Sequence, residues 1–231
     1  MVLDIHYEDN HILVVKKPIG ISTQPDRKNS QNLLEELKNH LKKTKNKENP
    51  YVALIHRLDR NTGGIMLFAK TSKAAYRLSN QFKNNQVKKK YLALTKNIPN
   101  LGEKGIMQNY LIKIESKRMA KLSTKENPKA KFSKLKYEMI EKIVYLDQTY
   151  YKFLVSPETG RFHQIRVQFS IHNAPLLGDR KYGNDKTTPY PALWAYEISF
   201  IHPTLKKEMT FQIAPPKNWP FFITTSDIFE S

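Results

Sequence analysis

The sequence has no cysteine in its 231 residues, which excludes disulfides, thiolate nucleophiles and cysteine-ligated zinc. No apolar stretch approaches the ~18 to 20 residues of a membrane-spanning helix. The opening Met1-Val2-Leu3-Asp4-Ile5-His6 lacks the basic-then-apolar pattern of a secretion signal, so a cytoplasmic protein is expected, with no membrane partner. Neither a GxxxxGK(S/T) nor a GxGxxG string occurs, which leaves nucleotide-driven and dinucleotide chemistry without support. Repeats, Gly/Ser linkers and coiled-coil patterns are also missing. The expectation is therefore one domain over 1–231, monomeric for want of an association signal.

Acidic residues are the other shortage. There are 21 Asp plus Glu against 39 Lys plus Arg, a net charge of +18 and a pI near 9.8. Such an excess attracts polyanions and releases their counterions, which fits nucleic acid or an acidic membrane surface. A lysine-rich, AT-biased coding background gives the same count, so charge alone does not decide. Clusters able to supply a basic surface are Lys38-Asn39-His40-Leu41-Lys42-Lys43, Lys83, Lys88-Lys89-Lys90 and Lys117-Arg118, each of which can equally be a solvated face.

With 39% hydrophobic residues the chain can fill a core. Ile12-Leu13-Val14-Val15 reads as a buried strand entering a turn at Lys17-Pro18-Ile19-Gly20. Ser30 is placed to cap a helix with Leu33, Leu34, Leu37 and Leu41 on one face, giving way to a polar loop over 42–50. Two apolar runs, Val52 to Ile55 and Ile65 to Ala69, bracket a polar loop from His56 to Gly64. Ser72 can cap a second helix carrying Ala74, Ala75, Leu78 and Phe82 inward. Strands are expected at Tyr91 to Thr95, Tyr137 to Val144 and Tyr150 to Val155. Eight of the thirteen prolines lie from Pro157 onward, which argues against long helices there. The fold class is α+β with a mixed, largely antiparallel sheet.

The loop His56-Arg57-Leu58-Asp59-Arg60-Asn61-Thr62-Gly63-Gly64 concentrates one imidazole, two guanidiniums and one carboxylate just after a strand. An arbitrary loop of this kind is a solvated surface turn; an acid flanked by Arg and aimed by a glycine turn is the functional alternative. His56-Arg57-Leu58-Asp59 followed by Thr62, Gly64 and Ala69-Lys70-Thr71 closely resembles the signature of the RluA-type pseudouridine synthases. The resemblance continues in order through Lys16-Lys17-Pro18-Ile19-Gly20, Lys89-Lys90-Tyr91-Leu92-Ala93, Thr159-Gly160-Arg161-Phe162-His163-Gln164-Ile165-Arg166-Val167, Gly178-Asp179-Arg180-Lys181-Tyr182-Gly183 and Phe200-Ile201-His202-Pro203. It implies the pseudouridine synthase fold with a central catalytic cleft. It also implies Asp59 as catalytic aspartate, Tyr91 as active-site tyrosine and Arg166 as the arginine paired with the aspartate.

The chemistry agrees with that assignment. Turning uridine into pseudouridine breaks C1′–N1 and rejoins the base through C5 without redox change, so a carboxylate suffices and neither metal nor cofactor is expected. Asp59 can attack C1′, or stabilise positive charge there while a proton leaves C2′. A dry pocket for a flipped base raises an acid's pKa, and a neighbouring guanidinium opposes this. Tyr91 can stack on the uracil or be a core tyrosine at a strand end. Arg57 either enters the helical stack vacated by the base, as the resemblance suggests, or forms a structural salt bridge with Asp59. His56 has no second metal ligand at a known spacing and reads as a hydrogen-bonding scaffold. His56, Arg57, Arg60, Thr62, Lys90, Arg161 and His163 are the expected RNA-facing set, with Arg161 and His163 as phosphate or packing groups.

Over 159–172 periodicity fails to choose, because Ile165, Val167, Phe169 and Ile171 alternate like a strand while Phe162, Ile165, Phe169 and His172 fit a helix face. The resemblance implies a helix after Gly160 with Arg166 in its first turns. Departures are Gly63 where the family usually has Ser, Trp194 where it usually has His, and a loose match at Lys131 to Tyr137. No N-terminal S4-type RNA-binding domain is expected, so RNA affinity should come from the catalytic domain itself. The expected partner is structured rRNA or tRNA. Competing readings are a non-catalytic RNA-binding or ribosome-assembly factor on the same fold, and a metal nuclease using His56 and Asp59, which lacks an acidic cluster.

Overall fold

The computed structural model describes residues 2–25, 31–46 and 48–220. The chain divides into two compact units, one built from the part up to Lys89 with Ala195–Ala214, the other from Lys90–Trp194 with the segment from Pro215. Both are α+β, and their sheets are dominated by antiparallel pairs.

In the first unit, β1 (Asp4–Glu8) and β2 (Ile12–Lys17) form a hairpin, and β2 pairs antiparallel with β4 (Gly63–Ala69). The short β3 (Ala53–Leu54) also pairs with β4. Further strands are β10 (Leu193–Ile201), whose part from Ala195 lies beside β4, and β11 (Glu208–Gln212) on its other side. Every residue of β4 is buried, which explains why its sequence is continuously apolar rather than alternating. Gly64 is demanded by packing: its φ is +118° and a Cβ would sit 2.1 Å from the Ala195 carbonyl oxygen.

Helix α1 (Leu33–Lys45) buries Leu33, Leu37 and Leu41 as its period predicts. It extends through Lys42 to Lys45, which were expected to be loop; Lys and Thr continue a helix already nucleated by the leucine face, and Asn46 ends it in the left-handed conformation. The expected cap Ser30 lies outside the described residues, and the Asn32 side chain caps the helix by accepting from the Glu35 N–H. Helix α2 (Ser72–Lys83) is capped by Thr71, one residue before the expected Ser72, because the Thr71 hydroxyl is the oxygen in reach of the Ala74 N–H. Buried His202 donates from Nε2 to Asp9, since its Nδ1 already accepts from the Thr204 and Leu205 amides.

The second unit orders its strands β5-β9-β8-β6-β7, with β5 (Lys88–Thr95), β6 (Lys104–Ile114), β7 (Met119–Ser123), β8 (Lys131–Tyr145) and β9 (Gln148–Pro157). The ambiguous segment is helical: α3 spans Gln164–Ile171. Ile165 and Phe169 enter one cluster with Met107, Leu135, Tyr137 and Phe153, whereas Val167 enters another with Leu111 and Ala120. The helix is thus apolar on two faces, which is why strand-like and helix-like spacings coexist in its sequence.

Candidate active site

The loop carrying Asp59 is held by its backbone. Thr23 Oγ1 donates to the Leu58 carbonyl at 3.0 Å, the Thr62 N–H to the Asp59 carbonyl at 3.0 Å, and the Gly20 N–H to the Arg60 carbonyl at 2.9 Å. Three consecutive carbonyls are therefore fixed from three directions. His56 closes the loop's base, its Nε2 accepting the Leu67 N–H at 3.0 Å while the ring stacks on Phe82 at 5.0 Å. Burial, assisted by the charge of Lys89, pulls the His56 pKa down to about 3, so the ring is neutral with its proton on Nδ1. That is the scaffold role expected for His56.

Beneath the loop sits a residue that sequence reasoning quoted without giving it a role. Lys17 is fully buried, and its ammonium donates to the carbonyls of Pro18, Ile21 and Arg60 at 2.9, 2.7 and 3.0 Å. Burial draws its pKa down to about 7, Asp59 pulls it up and Arg60 pushes it down. Lys17 thus ties the Pro18 to Ile21 turn to the Asp59 loop and puts a cation near the carboxylate. The signal was a lysine opening a Pro-Gly turn directly after a buried strand. Lys17→Met keeps the volume and leaves two carbonyls without donors. It is expected to cost about 2 to 3 kcal/mol, lowering Tm by roughly 5 to 10 °C in thermal unfolding. An unchanged Tm would remove Lys17 from this role.

Arg57 and Arg60 are exposed, Asp59 is half-buried and Thr62 is buried. Arg60 Nε donates to the Gly20 carbonyl at 2.8 Å, so part of its guanidinium serves the turn. Among the basic clusters, Lys38 pairs with Glu35 at 3.0 Å and Lys88 with Glu208 at 3.5 Å, while Lys42, Lys83, Lys117 and Arg118 stand exposed.

Tyr91, Lys90, Arg161, His163 and Arg166 belong to the second unit. Tyr91 lies on β5 opposite Val155, half-buried against the cluster around Ala93, Phe153 and Val155. Lys90, its neighbour on the strand, is also half-buried. Arg161 Nε donates to the Phe132 carbonyl at 2.8 Å. The turn before α3 is tied by Gln164, whose Oε1 accepts from the Thr159 hydroxyl and the Arg161 N–H, and whose Nε2 donates to the Lys134 carbonyl. This turn places His163 in the left-handed conformation, φ 52°, at the helix start.

Arg166, 6% exposed on α3, makes a bidentate pair with fully buried Asp179: Nε to Oδ2 at 2.7 Å and Nη2 to Oδ1 at 2.8 Å. Asp179 is a partner that sequence reasoning passed over, although it stands inside the quoted segment Gly178 to Gly183. Within this unit the turn that carries it needs glycine, for Gly178 has φ +72° and a Cβ there would meet Thr188 Oγ1 at 1.9 Å.

Comparisons with known proteins agree with the fold and motifs. Residues 11–171 match the RNA pseudouridylate synthase family. An uncharacterized RNA pseudouridine synthase of Mycoplasma pneumoniae is 36% identical over 91% of this chain and 66% of its own, and one of Mycoplasma genitalium is 34% identical over 86% and 63%. The chain therefore spans just under two thirds of the length of these two relatives. The dual-specificity RNA pseudouridine synthase RluA of Escherichia coli is 32% identical, with 91% of this chain and 92% of that protein covered. Among solved structures, human RNA pseudouridylate synthase domain containing 4 superposes with a TM-score of 0.77 at 22% identity, covering 93% of this chain and 89% of that one, which supports the fold. Signature residues in order, an antiparallel α+β architecture and a match across most of both chains with RluA place this chain in the RluA-type RNA pseudouridine synthase family.

Proposed function

We propose that this protein isomerises specific uridines of structured rRNA or tRNA to pseudouridine, with the target base flipped out of its stack and Asp59 as the reacting carboxylate. The reading rests on one observation above the others: the motif carboxylate sits on a loop whose successive carbonyls at 58, 59 and 60 are all pinned, beside a buried cation. A loop needed only as a solvated turn has no use for that fixation. Asp59 attacks C1′ as the C1′–N1 bond breaks, forming an ester that is broken in turn when C5 bonds to C1′, or it holds positive charge at C1′ while the C2′ proton leaves, to be returned to C2′ when C5 bonds to C1′; in both, the proton displaced from C5 is balanced by one gained at N1. Tyr91 stacks on the uracil and Arg166 supplies the guanidinium. Arg57 fills the gap left by the flipped base, limiting an unstacking cost of a few kcal/mol. Arg60, Lys90, Arg161 and His163 are assigned to the RNA side of the site, with His56 and Thr62 shaping the loop. The reaction is redox-neutral and needs no cofactor.

Incubation with total RNA followed by pseudouridine mapping tests this reading, which predicts new sites in the presence of chelator; none under any condition would overturn it. Affinity for RNA should fall steeply with salt, with a log-log slope of about −0.7 to −0.9 per neutralised phosphate. A flat response in a filter-binding titration from low to moderate salt would count against RNA as substrate.

A further inference from the structure

We propose that Asp179, together with His163 and Tyr182, is a positioning set that fixes the plane and rotation of the Arg166 guanidinium for the reaction. This rests on the proposed function, in which Arg166 takes part. An arginine side chain has many rotamers, and a carboxylate pair along one edge leaves rotation about that edge open. Here the guanidinium is met on three sides. Asp179 takes Nε and Nη2, the Tyr182 ring lies 5.2 Å from the guanidinium carbon, and His163 Nε2 stands 3.3 Å from Nη1.

The third contact has a defined proton arrangement. Arginine only donates, so His163 Nε2 must accept and the ring proton lies on Nδ1, from which it is donated to Tyr182 Oη at 2.9 Å. Tyr182 Oη also accepts the Ala120 N–H at 2.7 Å, which anchors the tyrosine to β7. Burial, then the charges of Arg166, Lys181 and Lys113, draw the His163 pKa down to about 3 and keep it the neutral acceptor this geometry requires. Asp179 is itself aligned, its Oδ1 accepting the N–H groups of Lys181 at 3.0 Å and Tyr182 at 3.2 Å. An ion pair that served only to hold α3 would need neither the stacked ring nor a tautomer-specified histidine, and apolar residues replace such pairs at no loss of stability. Three restraints on one side chain are what a charge held for a reacting group requires.

The test compares single-turnover and steady-state kinetics of Asp179→Asn, Tyr182→Phe, Arg166→Met and Tyr150→Ala on one RNA substrate. Tyr150 is buried near the start of β9, outside the cluster that Ile165 and Phe169 of α3 enter, and serves as a destabilising control. Asp179→Asn is expected to lower kcat about 10²-fold with KM for RNA within threefold. Tyr182→Phe keeps the ring, loses the hydroxyl and should lower kcat about tenfold. Tyr150→Ala should lower Tm while keeping kcat within threefold at an assay temperature below its midpoint. Full kcat in folded Asp179→Asn, or an equal kcat loss in Tyr150→Ala, would overturn the proposal. If Asp179→Asn does not fold, Tyr182→Phe decides alone, and full kcat there overturns it. Full activity in Arg166→Met would instead withdraw the guanidinium from the reaction and with it the reading on which the proposal stands.

Discussion

Asp59→Asn is expected to reduce pseudouridine formation by about 10³-fold or more while leaving the RNA Kd within about threefold. Asparagine has the shape of aspartate but cannot attack C1′ as an anion or balance positive charge there, so the loss falls on the chemical step. The loop itself should persist, because Leu58, Asp59 and Arg60 are held through backbone carbonyls by Thr23, Thr62, Gly20 and Lys17. One coupled change follows from the charge near the loop. Asp59 pulls the Lys17 pKa upward against burial, so the amide should let it drop below about 7. Single-turnover assays on one mapped RNA, with filter binding on the same RNA, measure both parts. Retained turnover would take Asp59 out of the reaction, whereas lost binding with lost turnover would make it an RNA contact instead.

Much of the fold was readable because local preference and burial agreed. The continuous apolar run of β4, the leucine face of α1 and the strand pairs β8 and β9 all sit where pattern placed them. Where reading slipped, a nearby residue of the same chemistry had won: Thr71 rather than Ser72 caps α2, which period alone cannot resolve to one position. At α3 no pattern could decide, since a short helix buried on two faces carries both periods. The resemblance supplied the helix there. The motif residues of the candidate site stand out in the sequence, but the groups that support them do not. Lys17 and Asp179 are charged, and charged residues are almost never fully buried unless paired, so sequence alone puts them at the surface. Their partners, backbone carbonyls for one and Arg166 for the other, come from folding rather than from spacing.

Two half-buried, neutral imidazoles give the molecule a steep acid limit. His56 and His163, one in each unit, are held with pKa values of about 3, against an ordinary 6.5 in the unfolded chain. Between those values the unfolded chain binds one more proton at each histidine than the folded one. Stability must therefore fall as pH drops through the window, by about 1.4 kcal/mol per pH unit for each histidine, or about 4 kcal/mol each over three units. Such a loss is comparable to the whole stability of a small unit. Asp9 acts at lower pH: burial opposes ionisation there, but the N–H groups of His11 and Ile12 and the His202 ring hold its pKa below the ordinary 3.8, so its contribution is lost only as pH falls below that value. Lys17 stays out of this window, because below about 7 both folded and unfolded forms carry its proton. Urea unfolding from pH 7 to pH 4 should show the fall, and His56→Gln, which keeps an acceptor for the Leu67 N–H without the titration, should flatten the slope between pH 4 and 6 by about 1.4 kcal/mol per unit. Parallel slopes for the wild type and His56→Gln would mean that the ring is protonated in the folded protein, and that the Leu67 amide is not its partner in solution.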